Sequence, residues 1–173
     1  MDDNMKNKIK TEHGFTLIEL MVTVVIIGII SAMAVPRFAK EYDRMTFRTA
    51  TKKVSSTIRL ARSMAISQKD YYGVHFDATA RTVTLYKKAD TSSFYNVYQT
   101  SDSAIRVDTL SREFTTLTTD LTNSAIAFRP NGSAIFAGGG NIACMIYNDN
   151  IIGINQINVL ASTGRVKSDG YYY

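Results

Sequence analysis

The chain has 173 residues, of which 45% are hydrophobic and 20% charged, with ten Tyr, eight Phe and two Pro, enough for one domain of ordinary size plus an appendage. That composition buries a core and excludes a disordered polymer. A single cysteine, Cys144, closes no intramolecular disulfide, and with His13 and His75 as the only histidines no Cys/His zinc cluster assembles.

Residues 1–14 are polar, and Lys6, Lys8 and Lys10 balance Asp2, Asp3 and Glu12. Residues 15–35 then form an apolar run of 21 with Glu19 as its only charge. As a helix this run is about 31 Å long, close to the roughly 30 Å hydrocarbon thickness of a bilayer. Cations flank it on both sides, with Arg37, Lys40 and Arg44 following, so charge gives no orientation. Three readings compete. A secretory signal would be cut after the small-x-small triplet Ala32-Met33-Ala34. A plain anchor would simply stay in the bilayer. In the third reading the helix is retained and Glu19 gains a partner on assembly. A carboxylate inside a membrane helix costs about 2.5–3.5 kcal/mol on insertion scales, which weighs against the first two.

The stretch Gly14-Phe15-Thr16-Leu17-Ile18-Glu19-Leu20, followed by the apolar run, resembles the processing site of type IV pilins and type II secretion pseudopilins. The resemblance implies cleavage between Gly14 and Phe15 by a prepilin peptidase on the cytoplasmic side and N-methylation of the new Phe15 amine. It also implies that Glu19 pairs with the terminal ammonium of a neighbouring subunit. A buried charge needs an opposite charge, and cleavage creates one. Gly28 and Pro36 stand where many pilins carry a glycine and a helix-kinking proline, and both residue types weaken a helix locally. His13 departs from the Lys or Arg more usual before the cleavage site.

Beyond Pro36 the helical pattern continues. Phe47, Ala50, Val54, Ile58, Ala61 and Ala65 recur every three or four residues and stack on one face. Arg44, Arg48, Lys52, Arg59 and Arg62 form a cationic ridge about a third of a turn away. Residues 37–69 hold nine Lys/Arg against Glu41 and Asp43, a net of +7, whereas residues 70–173 hold eight against nine, a net of −1. The positive excess therefore lies on the helix, either as a solvated face meeting acidic neighbours or as a polyanion contact.

From residue 71 the pattern changes to short β-rich runs at 71–76, 81–87, 94–100, 113–118, 125–128, 134–136, 142–147 and 157–160. Turn residues separate them at 77–79, 130–132, 138–141, 148–150 and 162–164. Residues 89–103 read as a long hairpin. The expected architecture is α+β, with a long N-terminal helix packed on an antiparallel β-sheet head. It divides into a leader (1–14), a transmembrane and assembly helix (15–36), an amphipathic helix (37–69) and a head (70–173).

Three motifs narrow the resemblance. Leu60-Ala61-Arg62-Ser63-Met64-Ala65-Ile66, Phe128-Arg129-Pro130-Asn131-Gly132 and Ser162-Thr163-Gly164-Arg165-Val166, in this order after such a leader, look like the GspH/FimT group of minor pilins and pseudopilins. Each also has a structural explanation, Arg62 at the helix-to-sheet boundary and the glycines in tight turns.

His75 reads as a surface or lightly buried strand residue and Cys144 as a small core hydrophobe. Asp149 and Asp169 lack the repeated oxygen spacing of a calcium loop. No Gly-x-Ser-x-Gly element accompanies a lone histidine, so catalysis is not expected. Neither a metal nor another cofactor is expected. Arg165 and Lys167, two residues apart, share a face if strand-like. In the resembled group, some pilins of natural transformation hold DNA with such a segment; otherwise this is an edge strand whose lysine blocks unwanted pairing. Tyr171-Tyr172-Tyr173 is expected to fray. The preferred function is a structural subunit of a type IV pilus or type II secretion pseudopilus, anchored in a bacterial inner membrane with its head in the periplasm. The resemblance makes prepilin peptidase and other pilin subunits its partners. The alternatives are a DNA-capturing pilin active in uptake and a secreted protein released after Ala34.

Overall fold

The structure is a computed structural model that describes residues 14–89, 97–110, 116–147 and 151–172. One α-helix, α1 (Leu17–Gln68), is followed by nine strands: β1 (Tyr72–Asp77), β2 (Thr82–Lys87), β3 (Ser103–Thr109), β4 (Thr116–Thr119), β5 (Ala125–Phe128), β6 (Ala134–Ile135), β7 (Asn141–Tyr147), β8 (Ile152–Val159) and β9 (Val166–Tyr172). The strands form two antiparallel sheets, five-stranded in the order β3-β2-β1-β5-β6 and four-stranded in the order β4-β7-β8-β9. Two compact units result, one up to Phe38 and one from Ala39 onward.

In the first unit Thr16 starts the helix. Its hydroxyl accepts a hydrogen bond from the Glu19 amide at 3.3 Å, and its carbonyl accepts from Leu20 N at 3.2 Å. Thr16-x-x-Glu19 is thus a capping-box sequence, with an acid where the helix dipole favours one. The helix runs through Gly28 and Pro36 without a break.

In the second unit all six residues of the expected stripe are buried, with Val54, Ile58, Ala61 and Ala65 at 0% exposure. They join Val74, Phe76, Leu85, Ile126 and Phe128 of the first sheet and Ile142, Cys144 and Ile157 of the second in one core cluster. Gly73 sits opposite Tyr86 in the β1–β2 ladder, and the Tyr86 ring occupies the place a Gly73 side chain would need. This leaves the tyrosine fully buried.

The structure corrects several strand expectations. Residues 94–96 of the expected 94–100 strand lie outside the described residues, and 97–100 form no strand. The ordering group there is a buried ion pair, Lys88 Nζ to Asp102 Oδ2 at 2.9 Å, with both side chains at most 1% exposed. Asp102 also accepts from the amides of Ala89 and Gln99, and Lys88 donates to the Val97 carbonyl at 2.7 Å. A fully hydrogen-bonded buried pair of this kind pins a loop that hydrophobic patterning does not reveal. The strand appears instead as β3, an edge strand exposed everywhere except Asp108. Asp108 accepts from the Thr57 hydroxyl at 2.8 Å and lies 3.4 Å from Lys53 and 2.9 Å from Arg106. Burial pushes its carboxyl up, but these hydrogen bonds and charges outweigh burial and hold it below its ordinary value. β8 starts five residues earlier than the expected 157–160 because Gly153 and Asn155 take inward positions. Tyr171 and Tyr172, expected to fray, pair with Ile154 and Gly153 in β9; Tyr173 lies outside the described residues.

Candidate functional site

The residues implicated by the sequence fall in three places. The first is the start of α1. Gly14, Phe15 and Thr16 precede the helix and are exposed, Phe15 at 78%, so the bond between Gly14 and Phe15 lies in open, non-helical chain. Residues 15–35 are exposed except for the half-buried Ala34. This helix is long and apolar enough to cross a membrane. Glu19, the one carboxylate of residues 15–35, stands exposed in the first turn. Pro36 lies at the opposite end of the apolar run.

The second place joins the three dispersed motifs. Arg62 Nε donates to the Gly132 carbonyl and to the Thr163 carbonyl, each at 3.1 Å. Gly132 follows Asn131 in the β5–β6 turn, and Thr163 precedes Gly164 in the β8–β9 turn. One guanidinium thus ties the helix to a turn from each sheet, and Ala134 N adds a 2.9 Å bond to the Ala161 carbonyl. Both glycines have positive φ, +83° and +64°. A Cβ on Gly164 would run into the Gly132 carbonyl oxygen, and one on Gly132 would press on Ile66. These residues therefore serve architecture, as their turn chemistry suggests.

The third place is the start of β9. Arg165 and Lys167 line the same open hollow beside Asn141 and Asn158. Arg165 precedes the strand, yet its carbonyl accepts from Leu160 N at 2.9 Å, which extends the ladder and puts both side chains on one face. Both are exposed, and Lys167 forms a 2.9 Å ion pair with Asp169. The pairing lowers the positive charge available at this end of the segment.

His75 is half-buried and stacks on Tyr98 with ring centroids 5.1 Å apart. Burial lowers its pKa against an opposing pull from Asp77. Cys144 is fully buried, and burial pushes its thiol up to about 12, leaving a core hydrophobe without thiolate chemistry near neutral pH. Among the described residues no group of three His, Cys, Asp or Glu side chains is placed to hold a metal ion. Asp149 lies outside the described residues, and Asp169 is engaged by Lys167. The Thr16 cap was legible in sequence as Thr16-x-x-Glu19. Asp102 and Asp108 carried no such signal, because their partners lie in other elements.

Residues 9–35 match the family model described as the prokaryotic N-terminal methylation motif. The chain is 39% identical over 61 residues to a fimbrial protein of Pseudomonas aeruginosa, 35% of this chain and 40% of that protein. It is 41% identical over 60 residues to the type IV major pilin protein PilA of Myxococcus xanthus, 35% of this chain and 27% of that protein. The chain thus spans two fifths or less of the length of these relatives. Among solved structures it is similar to the type IV minor pilin FimU of Pseudomonas aeruginosa, with 16% identity, a TM-score of 0.47 and coverage of 73% of this chain and 90% of that one. It is also similar to the minor pseudopilin EpsH from the type 2 secretion system of Vibrio cholerae, with 15% identity, a TM-score of 0.46 and coverage of 70% and 94%.

Proposed function

Because the chain belongs to the type IV pilin and pseudopilin superfamily, we propose that it is a non-catalytic structural subunit of a pilus or secretion pseudopilus. In this reading it is made as a precursor and cleaved between Gly14 and Phe15 by prepilin peptidase. The new Phe15 amine is methylated, and residues 15–35 hold the subunit in the inner membrane, head in the periplasm, until assembly with other pilin subunits. The carrying observation is the methylation motif over residues 9–35 on a helical segment, residues 15–35, whose apolar side chains are exposed and whose one carboxylate, Glu19, sits in the first turn. That arrangement suits an anchor that exchanges lipid for neighbouring helices. Glu19 is costly in a bilayer and is compensated when a neighbour's terminal ammonium comes within ion-pair distance. Pro36 closes the segment used in assembly. The finer assignment to a GspH/FimT-like minor subunit is supported by the Arg62 clasp, in which the three motifs of that resemblance meet. Mass spectrometry of the native protein tests the reading: methylated Phe15 at the N-terminus is expected, and Val35 or intact Met1 overturns it.

A second reading, DNA capture during uptake, is favoured by one observation. Arg165 and Lys167 are both exposed and share one hollow, with Asp169 2.9 Å from Lys167.

A further inference from the structure

We infer that β9 is a docking edge for an extended acidic segment of a partner polypeptide, which adds a strand to the four-stranded sheet and lays its carboxylates in the groove between that strand and α1; this stands apart from how the chain is anchored. β9 ends its sheet. Leu160 N donates to the Arg165 carbonyl at 2.9 Å, and the β8–β9 register sets Asn158 opposite Lys167 and Gln156 opposite Asp169. Hydrogen-bonded pairs alternate with unbonded ones in an antiparallel ladder. The amides and carbonyls of Val166, Ser168 and Gly170 therefore point away from β8, and no described strand lies beyond them. Edge strands are commonly guarded by charge. Here the charges, Lys167 and Asp169, stand on the outer face of the sheet and pair with each other at 2.9 Å. On the inner face Val166 packs on the core, and Ser168 Oγ donates to the buried Asn155 Oδ1 at 2.8 Å. The inner side of this edge carries no charged guard.

Beside that inner side lies an open groove of about 880 Å³. The sheet contributes only Asn155 and Ser168 to its lining, and the rest comes from α1, including the exposed Lys52 and Arg59. The sheet thus stops before it covers this side of the helix. Two observations define the occupant. Ser55, 7% exposed, also lines the groove, and its buried hydroxyl has no hydrogen-bond partner, so it offers a donor to an incoming acceptor. Lys52 and Arg59, three residues before it and four after, are its neighbours on the helix surface. Neither takes part in an ion pair among the described residues, and no Asp or Glu lines the groove. A free hydroxyl between two cations selects carboxylates. The backbone edge then decides between polyanions, because only a polypeptide supplies the alternating amides and carbonyls that extend a ladder. An added strand sends every second side chain to the groove, about 6.7 Å apart, and Lys52 and Arg59, roughly 10 Å apart along the helix axis, are long enough to meet two of them in succession.

The test uses the full chain in nanodiscs of neutral lipid and a fluorescent peptide eight residues long, the length of β8, that alternates Asp with Thr and is capped at both ends. Anisotropy should show saturable binding at low salt. Lys52→Gln with Arg59→Gln should weaken it by about tenfold or more, with thermal unfolding unchanged. N-methylated peptides test the ladder without touching the protein. Methyl groups on the amides of one edge should abolish binding, while the same number on the other edge leaves it intact. Equal affinity of the two methylated peptides overturns strand addition, and binding that Lys52→Gln/Arg59→Gln leaves unchanged overturns the groove. No binding of the unmethylated peptide overturns the inference as a whole. Displacement of the peptide by duplex DNA as effectively as by unlabelled peptide assigns the groove to nucleic acid and overturns it likewise.

Discussion

Residues 15–35 and residues 45–65 belong to the same helix but are built for different surroundings. In the first stretch leucine, isoleucine, valine and methionine cover the whole circumference and remain exposed, Ile27 at 62% and Val25 at 60%. In the second, most apolar residues fall on one stripe that is buried to within a few per cent, while Met45 and Leu60 lie off it and are exposed. A helix apolar all round needs lipid or other helices, whereas an amphipathic one is satisfied by its own sheets. The charges divide the same way. The first stretch has only Glu19, exposed in the first turn. The second is rich in cations, some paired inside the head and some left facing outward. One element thus combines an exposed apolar segment with one side of a finished core.

Four substitutions break or sharpen this contrast. The largest expected effect is on assembly. Glu19→Val should nearly abolish incorporation into filaments at native expression level while membrane insertion is kept or improved, since the insertion penalty disappears. Immunoblotting of sheared filaments and membranes measures both, and normal incorporation would refute the pairing role. Next comes the contrast in stability. Ile58→Ala removes buried methyl groups from a 0%-exposed position and should lower the stability of the head by about 2–5 kcal/mol. Ile27→Ala should leave head unfolding unchanged in denaturant titrations of the full chain in detergent. Equal losses would mean that the two stretches are not separate in energy. The smallest effect is at the clasp. Arg62→Gln withdraws a charged donor from the Gly132 and Thr163 carbonyls and should cost about 1.5–3 kcal/mol. No loss in the same titration would show that water replaces it without penalty.

The helix, its apolar first half, its buried stripe and the β-rich character of the rest were all legible in the order of residues. Each rests on local periodicity or on a contiguous motif. The strands that patterning found, such as β5 and β7, bury apolar side chains. The two absent from its runs, β3 and β9, are edge strands; β3 carries charged Arg106 and Asp108 and is held by contacts to a helix some fifty residues earlier.

By itself, then, the sequence determined the apolar first half of the helix, the methylation motif and the position of Glu19, because these depend on side chains next to one another along the chain. Only the tertiary structure decided which cations face outward. Arg62 and Lys53 look like their neighbours in a helical projection, but turns and a carboxylate from distant strands consume them. The same long-range packing brought Arg59 beside Arg165 and divided the head into two sheets that share one core and are tied at one end by the Arg62 guanidinium. No local spacing encodes such meetings, since they depend on how separate elements pack in three dimensions.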